Sequence, residues 1–418
     1  AYWWMQKAHA APAVVYKTPE EKNDVYVRFD MEAYDIIAAH YWQQTTDAQL
    51  SQLFQLSLEK AASTSSEPLA TQDRAGVATM LEQAFAATPA ASGKKQLALQ
   101  VLNVALYNLS PTGRSGVLSS QAQTALQNTV SNIQPSNNPY TDLGVSQNAT
   151  PAEIKQAYQQ KAAALAATTT AAGKAAQTQL AHAYQTLTNP VNKQIYDTSQ
   201  SQPTVFSHIL NPQTLYIDIS QVAPTTIQEI SAALSAASST PTFSNLILDM
   251  RGNIGGDLTF AQEFLSLFYG PNQYAFDLFH QGNLEVQRTG GVDQSPEATH
   301  FKEIAVIDDH MTQSTAELVA SILKHDHLAY TVGETSRGWG SVEQVLPMQT
   351  VIDPSETYAL ELVVYLTVRY DGLPIEGNGV VPDIDTTKPG WRSALPNFFT
   401  SGAMQEALSR AAGGAPMQ

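Results

Sequence analysis

The 418-residue chain reads as an α+β multidomain protein: a helical N-terminal region, a small helical hairpin domain and a C-terminal mixed α/β core. Three observations predict this. Apolar residues recur at helical spacing up to about residue 134, and two more amphipathic helices follow a polar linker. Beyond about residue 213 the pattern changes to short apolar strands alternating with helices. The expected boundaries are 1–135, 136–200 and 201–418.

In the first region Tyr34, Ile36, Ile37, Tyr41 and Trp42 fall on one helical face. Thr46 and Asp47 offer caps for a second helix carrying Leu50, Leu53, Phe54 and Leu58. Further amphipathic stretches cover about 70–87, 94–109 and 118–133, separated by Thr88-Pro89 and Ser110-Pro111-Thr112-Gly113. No catalytic cluster accompanies them, so a supporting layer, or one that joins copies of the chain into a homo-oligomer, is expected. Tyr2, Trp3, Trp4 and Met5 before Lys7 have the composition of an interfacial belt beside a membrane anchor, or of a stub packed on the domain.

Composition narrows the function. Lys and Arg total 22 against 38 Asp and Glu, a formal charge of -16, which opposes nucleic acid and anionic lipid. With no cysteine, disulfides, thiolate catalysis and cysteine-ligated zinc are excluded. No apolar run reaches the ~18 residues of a membrane span. The nine histidines are scattered, and His325-x-His327 lacks a carboxylate at useful spacing, so no metal or other cofactor is expected. A chain rich in Gln, Ser, Thr and Asn and poor in Lys suits an extracytoplasmic, membrane-associated protein.

After a linker at about 132–140, residues 151–166 and 174–188 form two amphipathic helices whose apolar faces can zip together. Tyr140, Leu143-Gly144-Val145, Thr150-Pro151, Ile154, Ala157-Tyr158, Ala183-Tyr184, Leu187, Pro190 and Tyr196-Asp197 stand at the spacing of a J domain, which this segment resembles. Where that family carries His-Pro-Asp, this chain has Ala166-Ala167-Thr168, and the basic face is reduced to Lys155 and Lys161. A degenerate J-like spacer or recognition module is therefore expected, without an ATPase chaperone partner.

The chemistry lies further on. Strands are expected at 214–219, 245–250, 303–309, 329–334 and within 358–370, with helices at 224–238, 259–268 and 315–325. Four landmarks follow in order: "LILDMRGNIGGDL" (246–258), "DDHMTQSTAELVASIL" (308–323), "VGETSRGWGSVEQ" (332–344) and "LTVRYDGLPIEGNGVVPDI" (366–384). Together they resemble the C-terminal processing, or tail-specific, serine peptidases. In these, Asp-x-Arg-x-Asn-x-Gly-Gly follows a strand and Ser-Ala-Ser-Ala-Ser-Glu opens a helix. The resemblance implies a mixed core of the crotonase-like, tail-specific protease type, a polypeptide substrate and proteolysis by a hydroxyl nucleophile.

Gly255-Gly256 can turn a backbone N–H toward a substrate carbonyl. The resemblance adds a second oxyanion donor from Glu317, the residue after the expected nucleophile position, Ala316. A methyl group cannot attack, so the chain reads either as a nucleophile-to-alanine form of a peptidase or as a natural pseudo-peptidase that binds or scaffolds peptides. Ser314, two residues earlier, is a substitute nucleophile in principle and otherwise an N-cap. The family's lysine falls on Trp339, and Arg337 beside it stays protonated. A tryptophan there is similar to the tricorn-type branch, which uses histidine supported by glutamate. Glu376 matches that glutamate, but the histidine position looks like Asp218. Asp218, His208 and His310 remain open as bases. The J-like segment stands where such peptidases usually carry a substrate-sensing PDZ module, so it is expected to gate or recruit polypeptide.

Overall fold

A computed structural model describes residues 17–63, 69–238, 243–369 and 371–417. The aromatic segment from Tyr2 to Lys7 lies outside the described residues. In chain order the strands are β1 (Gly116–Ser119), β2 (Val205–Asn211), β3 (Thr214–Ile219), β4 (Asn245–Asp249), β5 (Tyr274–His280), β6 (Asn283–Arg288), β7 (Glu303–Asp308), β8 (Tyr330–Gly333), β9 (Ser341–Pro347), β10 (Tyr358–Val368) and β11 (Ile384–Asp385).

The chain divides into two compact units. The first gathers the described residues up to Leu126 with Asp277–Val286 and Ser341–Val368. Its helices Val25–His40, Asp47–Ala62, Arg74–Ala86 and Ala91–Tyr107 bury Phe29, Ile37, Phe54, Leu81 and Leu102 against Leu360, Leu362 and Val364 of β10. Thr46 caps the second of these helices with a capping box to Gln49, as its sequence position requires. The sheet here runs β1-β10-β5-β6, with β9 also on β10. The strands expected within 358–370 therefore belong to a second sheet. Eight of the eleven β10 residues are buried, because the helices cover a strand that also has neighbours on both sides.

The second unit holds Gln127–Phe276, Gln287–Gly340 and the described residues from Arg369. Its six-stranded sheet has the order β11-β8-β7-β4-β3-β2. β3, β4, β7 and β8 are parallel, with Ile217 beside Leu248 and Leu248 beside Val306, and β2 closes one edge antiparallel to β3. Helices Thr226–Ser238, Thr259–Tyr269 and Thr315–His325 follow β3, β4 and β7. This alternation collects the loops beyond the carboxyl ends of the strands, the usual place for a site in such sheets.

The J-like segment belongs to this unit. Helices Pro151–Leu165 and Ala171–Thr188 pack through Ile154, Leu180, Ala183 and Leu187 onto Leu143 and Tyr140, whose hydroxyl donates to Asp197 at 2.6 Å. Ala166-Ala167-Thr168 fall in the turn between the two helices. The segment enters and leaves through a narrow neck. Ile133 and Ser201 form an antiparallel bridge, and Gln202 N donates to the Asn132 carbonyl at 2.9 Å. His182 stacks on Phe206 of β2, ring centres 4.9 Å apart. Among the described residues no helix is long and apolar enough to cross a membrane.

Candidate active site

Three loops at the carboxyl ends of β4, β7 and β8 are laced together. Gly252 N donates to Asp309 Oδ1 at 3.0 Å, Thr312 Oγ1 to the Met250 carbonyl at 2.9 Å, and Gln313 N to the Asn253 carbonyl at 2.9 Å. Asn253, fully buried, sends its Nδ2 to the Ile219 carbonyl at 2.6 Å and accepts the Gly255 N–H at 2.8 Å. The loop after β8 joins through Arg337 N, which donates to the Thr312 carbonyl at 2.9 Å.

These contacts set the turn that opens the helix Thr315–His325. Ser314, 9% exposed, has φ 61° and ψ -130°, a conformation that an L-residue other than glycine rarely holds and that costs of order 1–3 kcal/mol. A strained serine between a strand and a helix is the arrangement that lifts a hydroxyl out of the backbone in nucleophile elbows. Ala316, the expected nucleophile position, instead lies inside the first helical turn and is 1% exposed. The quoted family pattern contains three serines at alternate positions. Ser314 stands under the middle one and Ala316 under the last.

Gly255 meets Ser314, not Ala316. Gly255 has φ +76°, and a Cβ there would sit 2.6 Å from the Ser314 Cβ and 2.9 Å from Thr315 N. Gly256 is equally confined, with the Val222 carbonyl oxygen 2.0 Å from where its Cβ would be. Thr315 Oγ1 donates to the Gly256 carbonyl at 3.1 Å, so the two backbones run side by side. The Gly255 N–H is held by Asn253. Among the described residues the N–H groups of Gly256 and Thr315 carry no hydrogen bond.

Glu317, fully buried, acts through its side chain. Oε1 accepts from Ser336 Oγ at 2.5 Å and Gly338 N at 2.6 Å, while Oε2 accepts from Ser314 N and Trp339 N, both at 2.8 Å. One carboxylate thus ties the serine turn to the strap 336–339. Trp339 lies beneath the Arg337 guanidinium, whose central carbon is 5.0 Å from the ring centre. Glu376 reaches the same strap by accepting the Gly340 N–H at 2.9 Å.

The histidines do not converge on this turn. His310 is exposed and pairs its Nδ1 with Glu334 Oε2 at 2.9 Å. His208 lies on the edge strand β2 opposite Tyr216. Neither is hydrogen-bonded to Ser314 among the described residues. Asp218 is buried near the end of β3, paired in register with Asp249. Asp249 itself is structural: it holds Arg251, which fixes the Ala411 and Gly414 carbonyls.

Sequence reasoning missed Asp308, the last residue of β7. It is fully buried, neither oxygen has a hydrogen-bond partner, and burial pushes its carboxyl well above the usual range. Its only signal is an acidic residue ending an apolar strand, which Asp249 shares.

The family model for peptidase family S41 matches residues 213–386. Over these residues the chain is similar to the S41 peptidases. Residues 138–197 match the DnaJ domain, so the J-like segment precedes an S41 core as the spacing implied. The chain is 29% identical over 184 residues to the carboxy-terminal processing protease CtpB of Bacillus subtilis, covering 43% of this chain and 35% of that protein. It is 28% identical to a carboxy-terminal-processing protease of Bartonella bacilliformis, covering 42% and 39%. The chain thus spans well under half the length of these curated relatives. Among solved structures, a photosystem II D1 C-terminal processing protease aligns over 89% of this chain and 93% of its own, at 12% identity and TM-score 0.49.

Proposed function

We propose that the chain is a serine endopeptidase acting on polypeptides near their C-termini, with Ser314 as nucleophile and the N–H groups of Gly256 and Thr315 as oxyanion donors. The observation that carries this reading is the strained Ser314 turn packed on Gly255. The expectation of a nucleophile lost at 316 gives way in this reading, because that methyl group is enclosed in the helix while a serine occupies the turn.

In this scheme Ser314 Oγ attacks the scissile carbonyl carbon, and as the C–O bond forms its proton passes by way of water to the leaving nitrogen. The carbonyl oxygen becomes an oxyanion between the Gly256 and Thr315 amides, aided by the positive N-terminus of the helix. Collapse expels the amine, which carries that proton, and water then hydrolyses the ester by the same steps in reverse order. An extracytoplasmic setting belongs to this reading, supported by the Gln-, Ser-, Thr- and Asn-rich composition. So does a J-like domain at 136–200 that recruits polypeptide in place of an ATPase partner.

The test uses the full chain with casein and a fluorophosphonate probe. Turnover, and an adduct on the peptide containing Ser314, are expected. Ser314→Ala should lower the rate by on the order of a millionfold, and Ala316→Ser should add no activity. Turnover that survives Ser314→Ala overturns the assignment. One observation favours a second reading: Trp339 stands where the family resemblance puts lysine, which suits a peptide-binding pseudo-peptidase. Tight peptide binding without turnover in the unaltered chain would select it.

A further inference from the structure

Trp339 departs from the peptidase pattern, and its surroundings give it a use. The strap that carries it is braced on both sides. Glu317 holds the Gly338 and Trp339 N–H groups, Arg337 N is fixed to Thr312, and the Gly338 carbonyl accepts from Gly377 N at 2.9 Å. Gly338 has φ +77°, and a Cβ there would lie 3.0 Å from Gly379 N, so the strap cannot sink toward that turn. Trp339 N and Ser314 N share one oxygen of Glu317, which places the strap beside the serine turn.

The exposed Arg337 side chain lies over the Trp339 ring. Among the described residues it has no carboxylate partner, a state it shares with Arg392 over Trp391, whereas Arg74, Arg251 and Arg369 each pair with one. The nearby acids are engaged elsewhere: Glu317 is buried with both oxygens used, and Glu334 is paired with His310. A guanidinium stacked on an indole is oriented by one face and leaves its in-plane N–H fork free, the geometry that suits a carboxylate.

We propose that Arg337, seated on Trp339, is a carboxylate-binding specificity residue beside Ser314. The site then favours polypeptide segments that carry a carboxylate within a few residues of the scissile bond. This deepens the peptidase reading and rests on it for the place of cleavage, although binding can be measured apart from turnover. The bland alternative is a surface arginine resting on an indole with no ligand.

The experiment uses the full chain with Ser314→Ala and fluorescent unstructured peptides read by anisotropy. One peptide pair differs only in a C-terminal acid or carboxamide, and another in a central Glu or Gln. Preference within the first pair identifies the terminal carboxylate as the ligand, and preference within the second a side-chain carboxylate. The expected preference is about tenfold, the value of one charge-assisted hydrogen bond at an open site. Arg337→Gln should bring the ratio to about one. Trp339→Leu, which keeps the charge but removes its platform, should lower it part-way, and Trp339→Phe should restore most of it. Equal affinities within both pairs, or a ratio that persists in Arg337→Gln, overturn the proposal. Turnover by the unaltered chain is measured in parallel. Turnover with equal affinities overturns this inference alone, and a carboxylate preference without turnover supports it while removing the peptidase reading.

Discussion

Replacing Glu317 by glutamine keeps the size of the side chain and removes one acceptor. The carboxylate takes four hydrogen bonds, two on each oxygen, from Ser314 N, Ser336 Oγ, Gly338 N and Trp339 N. Glutamine offers one oxygen and one NH2 group, so two of the four donors would face another donor. A buried donor without an acceptor costs about 1–3 kcal/mol, giving about 2–6 kcal/mol for the pair. If all of it fell on the fold, Tm would drop by about 4–24 °C, since 1 kcal/mol shifts a domain of this size by about 2–4 °C. If the strap relaxed instead, the cost would appear as a displaced Ser314 and a slower reaction, tenfold for every ~1.4 kcal/mol. The assay pairs a thermal melt with the rate of fluorophosphonate labelling at Ser314, so that both shares are seen. A Glu317→Gln protein with unchanged Tm and an unchanged labelling rate would refute the view that this carboxylate holds the turn.

Two further outcomes follow from particular contacts. Gly255→Ala places a methyl 2.6 Å from the Ser314 Cβ at a backbone φ of +76°. By pushing Ser314 and the Thr315 amide out of place it should lower labelling and turnover at least ~100-fold, the typical cost of one lost oxyanion donor, while circular dichroism retains the folded signature. In the helical unit Asp30 is fully buried, neither oxygen has a hydrogen-bond partner, and burial with the nearby Asp24 charge raises its carboxyl well above the usual range. The folded form keeps its proton after the unfolded chain has lost it, so this group's contribution is fully present below the unfolded value, ~3.9, and fades as pH rises through the folded one. Asp30→Leu should therefore raise Tm, by about 1–3 kcal/mol of relief even where the acid is neutral, and the gain should grow from pH 4 toward neutrality. A gain that shrinks over that range contradicts the assignment.

Much of this architecture is legible in the sequence. Thr150-Pro151 with Glu153 forms the capping box expected of a helix start, and the apolar runs of β3, β4 and β7 stand where their composition puts them. Other strands were not legible. β6 reads Asn-Leu-Glu-Val-Gln-Arg and has no fully buried residue on either face, so it lacks a buried apolar stripe to betray it. β10 has the composition of a core strand but joins the sheet under the helical unit, a choice made by distant partners. The sequence narrows the candidate turn to a few residues, but which of them is strained cannot be read there. The family pattern alternates serines, and only the packing of Gly255 and the Glu317 carboxylate, neither visible in local sequence, makes position 314 the strained one. The proton acceptor stayed open for the same reason, since the spacing of His208, His310 and Asp218 along the chain carries no information about their approach to Ser314.

The neck at Ile133 and Ser201 has a consequence for how such a protein can change. Because the two backbones are bridged there, the ends of the intervening fold lie within about one strand spacing, ~4.8 Å, and the six-stranded sheet takes none of its strands from within it. Any domain whose termini come equally close could be exchanged at this joint while the register of β2 against β3 stays as it is. Residues inside the cassette and residues of the sheet can then change on separate schedules.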